Sequence, residues 1–250
     1  MPIQDVIAGL PRPKPLRLGE TALFLDLDGT LAPIAARPQD VRPDPRRTSL
    51  LERLAVRLDG RLAVISGRTL TDIDRILETC VTSVAAVHGL VRRGPDGRVV
   101  RTPPHPAIAR AAQGFHAFAA RDSGLIVEEK AGLSVALHYR LAPRCAEPAR
   151  ACAQALAVET GLGLQEGDMV EELRAPGASK GDSVRAFMAE PPFAGAWPVF
   201  VGDDATDEDG FAAAQALGGV GVVVGAARAT SARFRLADVE AALAWLEAAS

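Results

Sequence analysis

The chain has 250 residues, enough to bury a full core and to carry an insertion. A formal net charge of -3, with Lys and Arg scattered along the chain, leaves no basic footprint for nucleic acid. No uncharged apolar run approaches the roughly 20 residues of a membrane helix, and 48% hydrophobic content with 4% aromatic predicts an aliphatic interior of the α/β class.

The first 19 residues, MPIQDVIAGLPRPKPLRLG, lack the long apolar core of a signal peptide. Prolines 11, 13 and 15 prevent a continuous helix there. A flexible lead-in to a cytoplasmic protein is expected. Thr21 to Leu27 is a short apolar run ending at Asp-Gly, the pattern of a buried parallel strand with an exposed carboxyl end. Arg61 to Ile65 repeats it, stops at Ser66-Gly67 and gives way to an amphipathic stretch from Thr71 to Leu77. Val84 to Val87, Pro198 to Val201 and Gly219 to Gly225 read as further strands, and Asp238 to Ala248 as a closing helix. This alternation predicts a doubly wound parallel sheet with ligands at the carboxyl ends of its strands.

Between residues 103 and 174 the pattern changes. A helix (Ile108 to Arg121), a hairpin turning at Ala131-Gly132, a second helix (Cys145 to Glu159) and two short strands up to Arg174 form an α-β-β-α-β-β unit. A small α+β domain over 103–174 is therefore expected to interrupt a core made of 1–102 and 175–250. Cys80, Cys145 and Cys152 have neither disulfide nor zinc spacing and read as small core residues in a reducing compartment.

The candidate chemistry lies at the strand ends. Asp26 and Asp28, two positions apart, project to the same side. An ionised carboxylate attacks phosphorus without a base, and a protonated neighbour donates to the leaving oxygen and later deprotonates water. Asp26 fits the first role and Asp28 the second, the alternative being an Asp-Gly turn with incidental acidity. Ser66, Gly67 and their neighbouring amides are placed to hold phosphate oxygens, although Ser66 reads equally well as a helix N-cap. Lys180 stands at the start of a helix expected over Asp182 to Ala189, where a cation is unfavourable unless an anion joins it. Asp203, Asp204, Asp207, Glu208 and Asp209 crowd five carboxylates into seven positions, and such crowding repels itself unless a cation is present. Hard oxygen donors favour Mg²⁺ over zinc. The four histidines are dispersed and receive no metal.

Taken together and in this order, DLDGT, the Ser of ISGR, the Lys of SKG and GDDATDE resemble the four motifs of the haloacid dehalogenase superfamily. The longer segments LDLDGTLAPIAARPQDVRPDP, VHGL, VEEKAGLSVALHYR and EELRAPGASKG resemble the trehalose 6-phosphate phosphatases within it, with Ala131 standing as an extra residue between Lys130 and Gly132. The resemblance implies a haloacid dehalogenase-like core and an inserted cap. It implies an aspartyl-phosphate on Asp26, and Asp28 as general acid and base. Mg²⁺ would be held by the carboxylates of Asp26 and Asp203 and the carbonyl of Asp28, with Asp207 close by. Ser66, Gly67 and Lys180 would hold the phosphoryl group, and Arg68, Glu128, Lys130, His138, Arg140 and Glu172 are the substrate candidates, those beyond Arg68 lying on the cap. A phosphorylated disaccharide is the expected partner. The rival readings are a phosphatase for another sugar phosphate and, from a different class, a phospho-acceptor or sugar-phosphate sensor without turnover.

Overall fold

The computed structural model describes residues 9–250. In chain order its elements are β1 (Thr21–Leu25), α1 (Pro45–Arg57), β2 (Leu62–Ile65), α2 (Leu70–Leu77), β3 (Ser83–Ala86), β4 (Val91–Arg93), β5 (Val99–Arg101), α3 (Ala107–Ala119), β6 (Ile126–Lys130), β7 (Ser134–His138), α4 (Ala146–Thr160), β8 (Gly163–Gly167), β9 (Val170–Arg174), α5 (Lys180–Met188), β10 (Trp197–Gly202), α6 (Glu208–Ala216), β11 (Val220–Val224), β12 (Phe234–Leu236) and α7 (Val239–Glu247). They divide into two compact units. One takes the chain up to Ala35, Val41–Val100 and Ala178–Ser250; the other takes Ala36–Asp40 and Arg101–Gly177.

The first unit is built on a sheet ordered β12-β11-β10-β1-β2-β3-β4-β5. It is parallel from β12 to β3, and β4 turns back antiparallel to β3. Alternate residues point to opposite faces. On one face Ala22, Phe24, Ala63, Ile65 and Phe200 pack with Val184 and Phe187 of α5 and Phe211 of α6. On the other, Leu23, Leu25, Val64, Val199 and Val222 are equally buried, so both faces are covered and the strands read as continuous apolar runs. The sheet is doubly wound as expected. From β1 the chain moves first to β2 on one side and later to β10 on the other, and the reversal places a crevice at the carboxyl end of β1.

The described part of the lead-in differs from the flexible segment expected. Pro11 O accepts from Arg235 N (3.0 Å), and Lys14 O accepts from the indole N–H of Trp245 (3.0 Å). Residues 1–8, to which the same expectation applied, lie outside the described residues. Trp197, at the amino end of β10, donates its indole N–H to Gly218 O at 2.8 Å. The cysteines are half-buried rather than core, and all three are free.

The second unit carries an antiparallel sheet ordered β6-β7-β9-β8. Val135, Leu137 and Leu173 face α3 and α4, where Phe115, Phe118, Tyr139 and Leu156 complete the core. The Tyr139 hydroxyl donates to Glu171 at 3.0 Å. At the β6–β7 turn Ala131 and Gly132 both have positive φ (52° and 71°), and Lys130 pairs with Ser134. Ala131 is thus taken up in a left-handed turn and leaves the register of the hairpin intact.

Candidate active site

β1 ends at Leu25, and Asp26 N continues the ladder to Val201 O at 2.9 Å. The next turn wraps onto Leu27 O, which accepts from Leu31 N and Ala32 N, both at 2.9 Å. Gly29 (φ 77°) is required inside it, because a Cβ there would stand 1.9 Å from Asp203 Oδ2. The loops after β1 and β10 therefore touch backbone to carboxylate.

Lys180 opens α5. Ser179 caps that helix and Asp182 completes the capping box, so the helix starts two residues earlier than the sequence pattern indicates. The anions that offset the helix dipole are protein carboxylates: the buried ammonium lies 2.9 Å from Asp26 Oδ1 and 2.7 Å from Asp207 Oδ1. Gly181 allows this, since a Cβ there would lie 2.5 Å from Asp209 O, and α5 thus packs its backbone against the start of α6. Burial alone would lower the Lys180 pKa, but Asp207 and Asp26 more than offset it and hold the group charged.

Asp207 is fully committed. One oxygen faces Lys180, and Oδ2 accepts from Asp203 N and Asp204 N, each at 3.0 Å. The Asp203 carboxylate has no hydrogen-bond partner among the described residues. One oxygen from each of Asp26, Asp203 and Asp207 lies within 4.8 Å of the others. Burial raises Asp26 well above the usual carboxylate range; Lys180 offsets part of this, and Asp207 and Asp203 add to it. Asp203 is pushed up to about 8 by burial and then by Asp207. Hard, oxygen-only donors that repel one another suit a small dication, whose charge would favour the ionised form of both carboxylates. Asp26, Asp203 and Asp207 could together hold such an ion, and Asp207 also fastens the loop that carries Asp203.

The remaining acids of the run are spread over different partners, although Asp204, like Asp203, has its pKa raised by burial and by the nearby Asp207. Asp204 caps the turn Ala205–Asp207. Glu208 accepts from Arg228, from Thr230 Oγ1 (2.8 Å) and from Ser231 N and Oγ (2.7 Å each). Two protein cations thus pair with two of the five carboxylates of the run, Lys180 with Asp207 and Arg228 with Glu208. Arg228 went unnoticed in the sequence, where a single Arg after an apolar strand carries no signal of its own.

Ser66 follows β2 directly and is buried, with its N–H on Ala85 O at 2.9 Å. It does not cap α2; Thr69 does, accepting from Asp72 N at 3.1 Å. Its Oγ instead accepts from Arg68 N at 3.3 Å. At Gly67 a Cβ would fall 2.4 Å from His88 Nε2, so the imidazole rests on this loop. The Arg68 guanidinium is bidentate on Asp28, Nε to Oδ2 at 2.6 Å and Nη2 to Oδ1 at 2.8 Å, which fastens the β2 loop to the β1 loop.

In the second unit, Glu128, Lys130, His138 and Glu172 share the sheet face opposite the helices. Lys130 Nζ pairs with Glu172 Oε2 at 2.6 Å, and His138 Nε2 lies 2.8 Å from Glu128 Oε2. The same face carries Ser134, Gln165 and Arg174, which sequence reasoning passed over. Ser134 is fully buried and its Oγ has no hydrogen-bond partner among the described residues. Arg140 lies beyond the end of β7 and donates to Asp168 Oδ2 (3.0 Å) and O (2.6 Å) in the β8–β9 turn, apart from the Lys130–Glu172 pair.

A family model described as trehalose-phosphatase matches residues 24–240. A trehalose-6-phosphate phosphatase of Escherichia coli (strain K12) is 41% identical over 230 residues, covering 90% of this chain and 85% of that protein. Among solved structures, a trehalose-6-phosphate phosphatase related protein superposes with a TM-score of 0.74 at 28% identity, over 90% of this chain and 95% of that one. The C-terminal domain of a C. albicans trehalose-6-phosphate phosphatase, 21% identical, shares the fold with a TM-score of 0.84 over 97% of this chain and 98% of that one. The carboxylates and lysine gathered at the strand ends thus stand in a chain whose match runs from β1 into α7, and the chain belongs to the trehalose-phosphatase family.

Proposed function

We propose that the protein hydrolyses trehalose 6-phosphate to trehalose and phosphate through an aspartyl-phosphate on Asp26. The observation that carries the reading is the meeting of Asp26, Lys180 and Asp203 at the carboxyl end of β1 in a member of this family. An Asp26 oxygen attacks phosphorus, and the bond from phosphorus to the sugar oxygen breaks as the Asp28 carboxyl proton passes to that oxygen. Asp28 then takes a proton from water, the water oxygen bonds to phosphorus, and the Asp26–phosphorus bond breaks to release phosphate and restore the carboxylate. Arg68 occupies both Asp28 oxygens at rest, so one must be released and take up a proton from solvent before Asp28 can donate it to the leaving oxygen. Lys180, Ser66 and Gly67 hold the phosphoryl oxygens.

Asp26 and Asp203, with the Asp28 carbonyl, would hold Mg²⁺, which would supply the positive charge that lets a dianionic substrate approach a carboxylate nucleophile. Asp207 keeps Asp203 and Lys180 in place. We assign residues 103–174 as the cap and its polar face, Glu128, Lys130, His138 and Glu172, to the sugar hydroxyls; the partnerless Ser134 hydroxyl supports this. The three free thiols accord with a cytoplasmic enzyme.

The test is phosphate release by purified protein from a panel of phosphorylated sugars, with Asp26→Asn as control. Trehalose 6-phosphate is expected to be the best substrate and Asp26→Asn to be folded and inactive. Preference for another sugar phosphate would reassign the substrate, and turnover by Asp26→Asn would remove the nucleophile.

A further inference from the structure

β10 and β11 are parallel neighbours, so the loops that follow them emerge at the same edge of the sheet. The first bears Asp203. The second bears Arg228, and its guanidinium reaches back across 25 residues to donate from Nε to Asp203 O at 3.1 Å and from Nη2 to Asp204 O at 2.8 Å. Its Nη1 meets Glu208, the first residue of α6, and Ala229 O at 3.1 Å. Glu208 is itself held by Thr230 and Ser231 of the Arg228 loop. Each loop therefore grips the other, and the planar fork of Arg228 spans the two consecutive carbonyls that set the direction of the Asp203 side chain. Asp207 holds the same peptide segment from the opposite direction, through the N–H groups of residues 203 and 204.

We infer that Arg228 is a positioning residue for the divalent cation: it fixes the Asp203–Asp204 backbone so that the Asp203 carboxylate faces Asp26. The inference rests on the proposed metal site but assigns no ligand role to Arg228 itself. Charge and geometry predict opposite signs for its removal. If only its charge mattered, taking a cation away from beside the site would tighten metal binding. If it positions Asp203, losing the fork weakens binding even when the charge is kept, by the roughly 10- to 100-fold typical of groups that orient metal ligands.

The experiment is direct binding of Mn²⁺, followed by the loss of the free-ion electron paramagnetic resonance signal, to the wild type, Arg228→Lys and Arg228→Met. Activation by Mg²⁺ is measured alongside. Both variants are expected to bind Mn²⁺ at least about tenfold more weakly and to need correspondingly more Mg²⁺, with kcat at saturating Mg²⁺ retained. Wild-type affinity in both variants, or tighter binding by Arg228→Met, would overturn the positioning role. A wild type that binds no Mn²⁺ would instead overturn the metal site beneath it. Should either variant fail to fold, Glu208→Gln removes the anchor of the fork while keeping its shape, and unchanged Mn²⁺ affinity there overturns the inference equally.

Discussion

Replacing Lys180 by Met keeps a straight side chain of similar length and deletes the one cation between Asp26 and Asp207. At an effective dielectric of about 20, an ammonium at these separations attracts each carboxylate by roughly 6 kcal/mol. Much of that offsets the desolvation of three buried charges, and removing one partner of a buried pair costs about 3–5 kcal/mol in practice. For a protein of this size each kcal/mol moves Tm by about 2–4 °C, so the metal-free variant is expected to melt roughly 6–20 °C below the wild type. Mg²⁺ should recover part of the loss, because a dication facing Asp26 and Asp203 would neutralise Asp26, one of the two carboxylates that Lys180 balances. Activity should not return, since the lysine proposed to hold the phosphoryl group is still missing. Circular dichroism melts in chelator and in Mg²⁺ measure both effects. Equal melting of variant and wild type in chelator, or a deficit that Mg²⁺ leaves untouched, would refute the idea that Lys180 and the metal share one charge-balancing task.

Lys130→Ala and Glu172→Ala break a buried pair on the polar face of the second unit; each should lower kcat/KM for trehalose 6-phosphate about 10- to 100-fold and leave hydrolysis of a small aryl phosphate nearly unchanged, as steady-state assays on the two substrates will show. Chelation should abolish phosphate release from the wild type and added Mg²⁺ restore it, whereas full activity in metal-free buffer would contradict the metal assignment. Ala131→Gly relieves a left-handed non-glycine residue and should stabilise the protein by up to about 1 kcal/mol, read as a rise in Tm with kinetics unchanged.

Strands such as Thr21–Leu25 and Val220–Val224 were legible because burial on both faces requires uninterrupted apolar runs that stop abruptly where the site begins. β4, β5 and β12 passed unnoticed: each spans three residues near a sheet edge, and Val99–Arg101 is exposed throughout, so no pattern of burial is imposed on it. Within the site, Asp26, Lys180, Asp203 and Asp207 were visible as charges at the ends of elements. What those charges touch was not. The Arg68–Asp28 clasp joins residues 40 apart and the Arg228 fork joins residues 20 or more apart, contacts that arise only once parallel neighbours align their loops. Ser66 shows the same limit, because its spacing to α2 fits an N-cap equally well until Thr69 is seen to do that work.

The chain has two tryptophans and one tyrosine. Trp197 and Trp245 both belong to the first unit, each with its indole N–H fixed to a carbonyl, and Tyr139 belongs to the second, buried against Glu171. The two kinds of ring absorb differently, so each unit carries its own optical signal. Red-edge excitation, absorbed by tryptophan and not by tyrosine, follows the unfolding of the first unit, and any near-ultraviolet dichroism change that the tryptophan emission does not share reports Tyr139 in the other, so the two can be compared in one unlabelled sample.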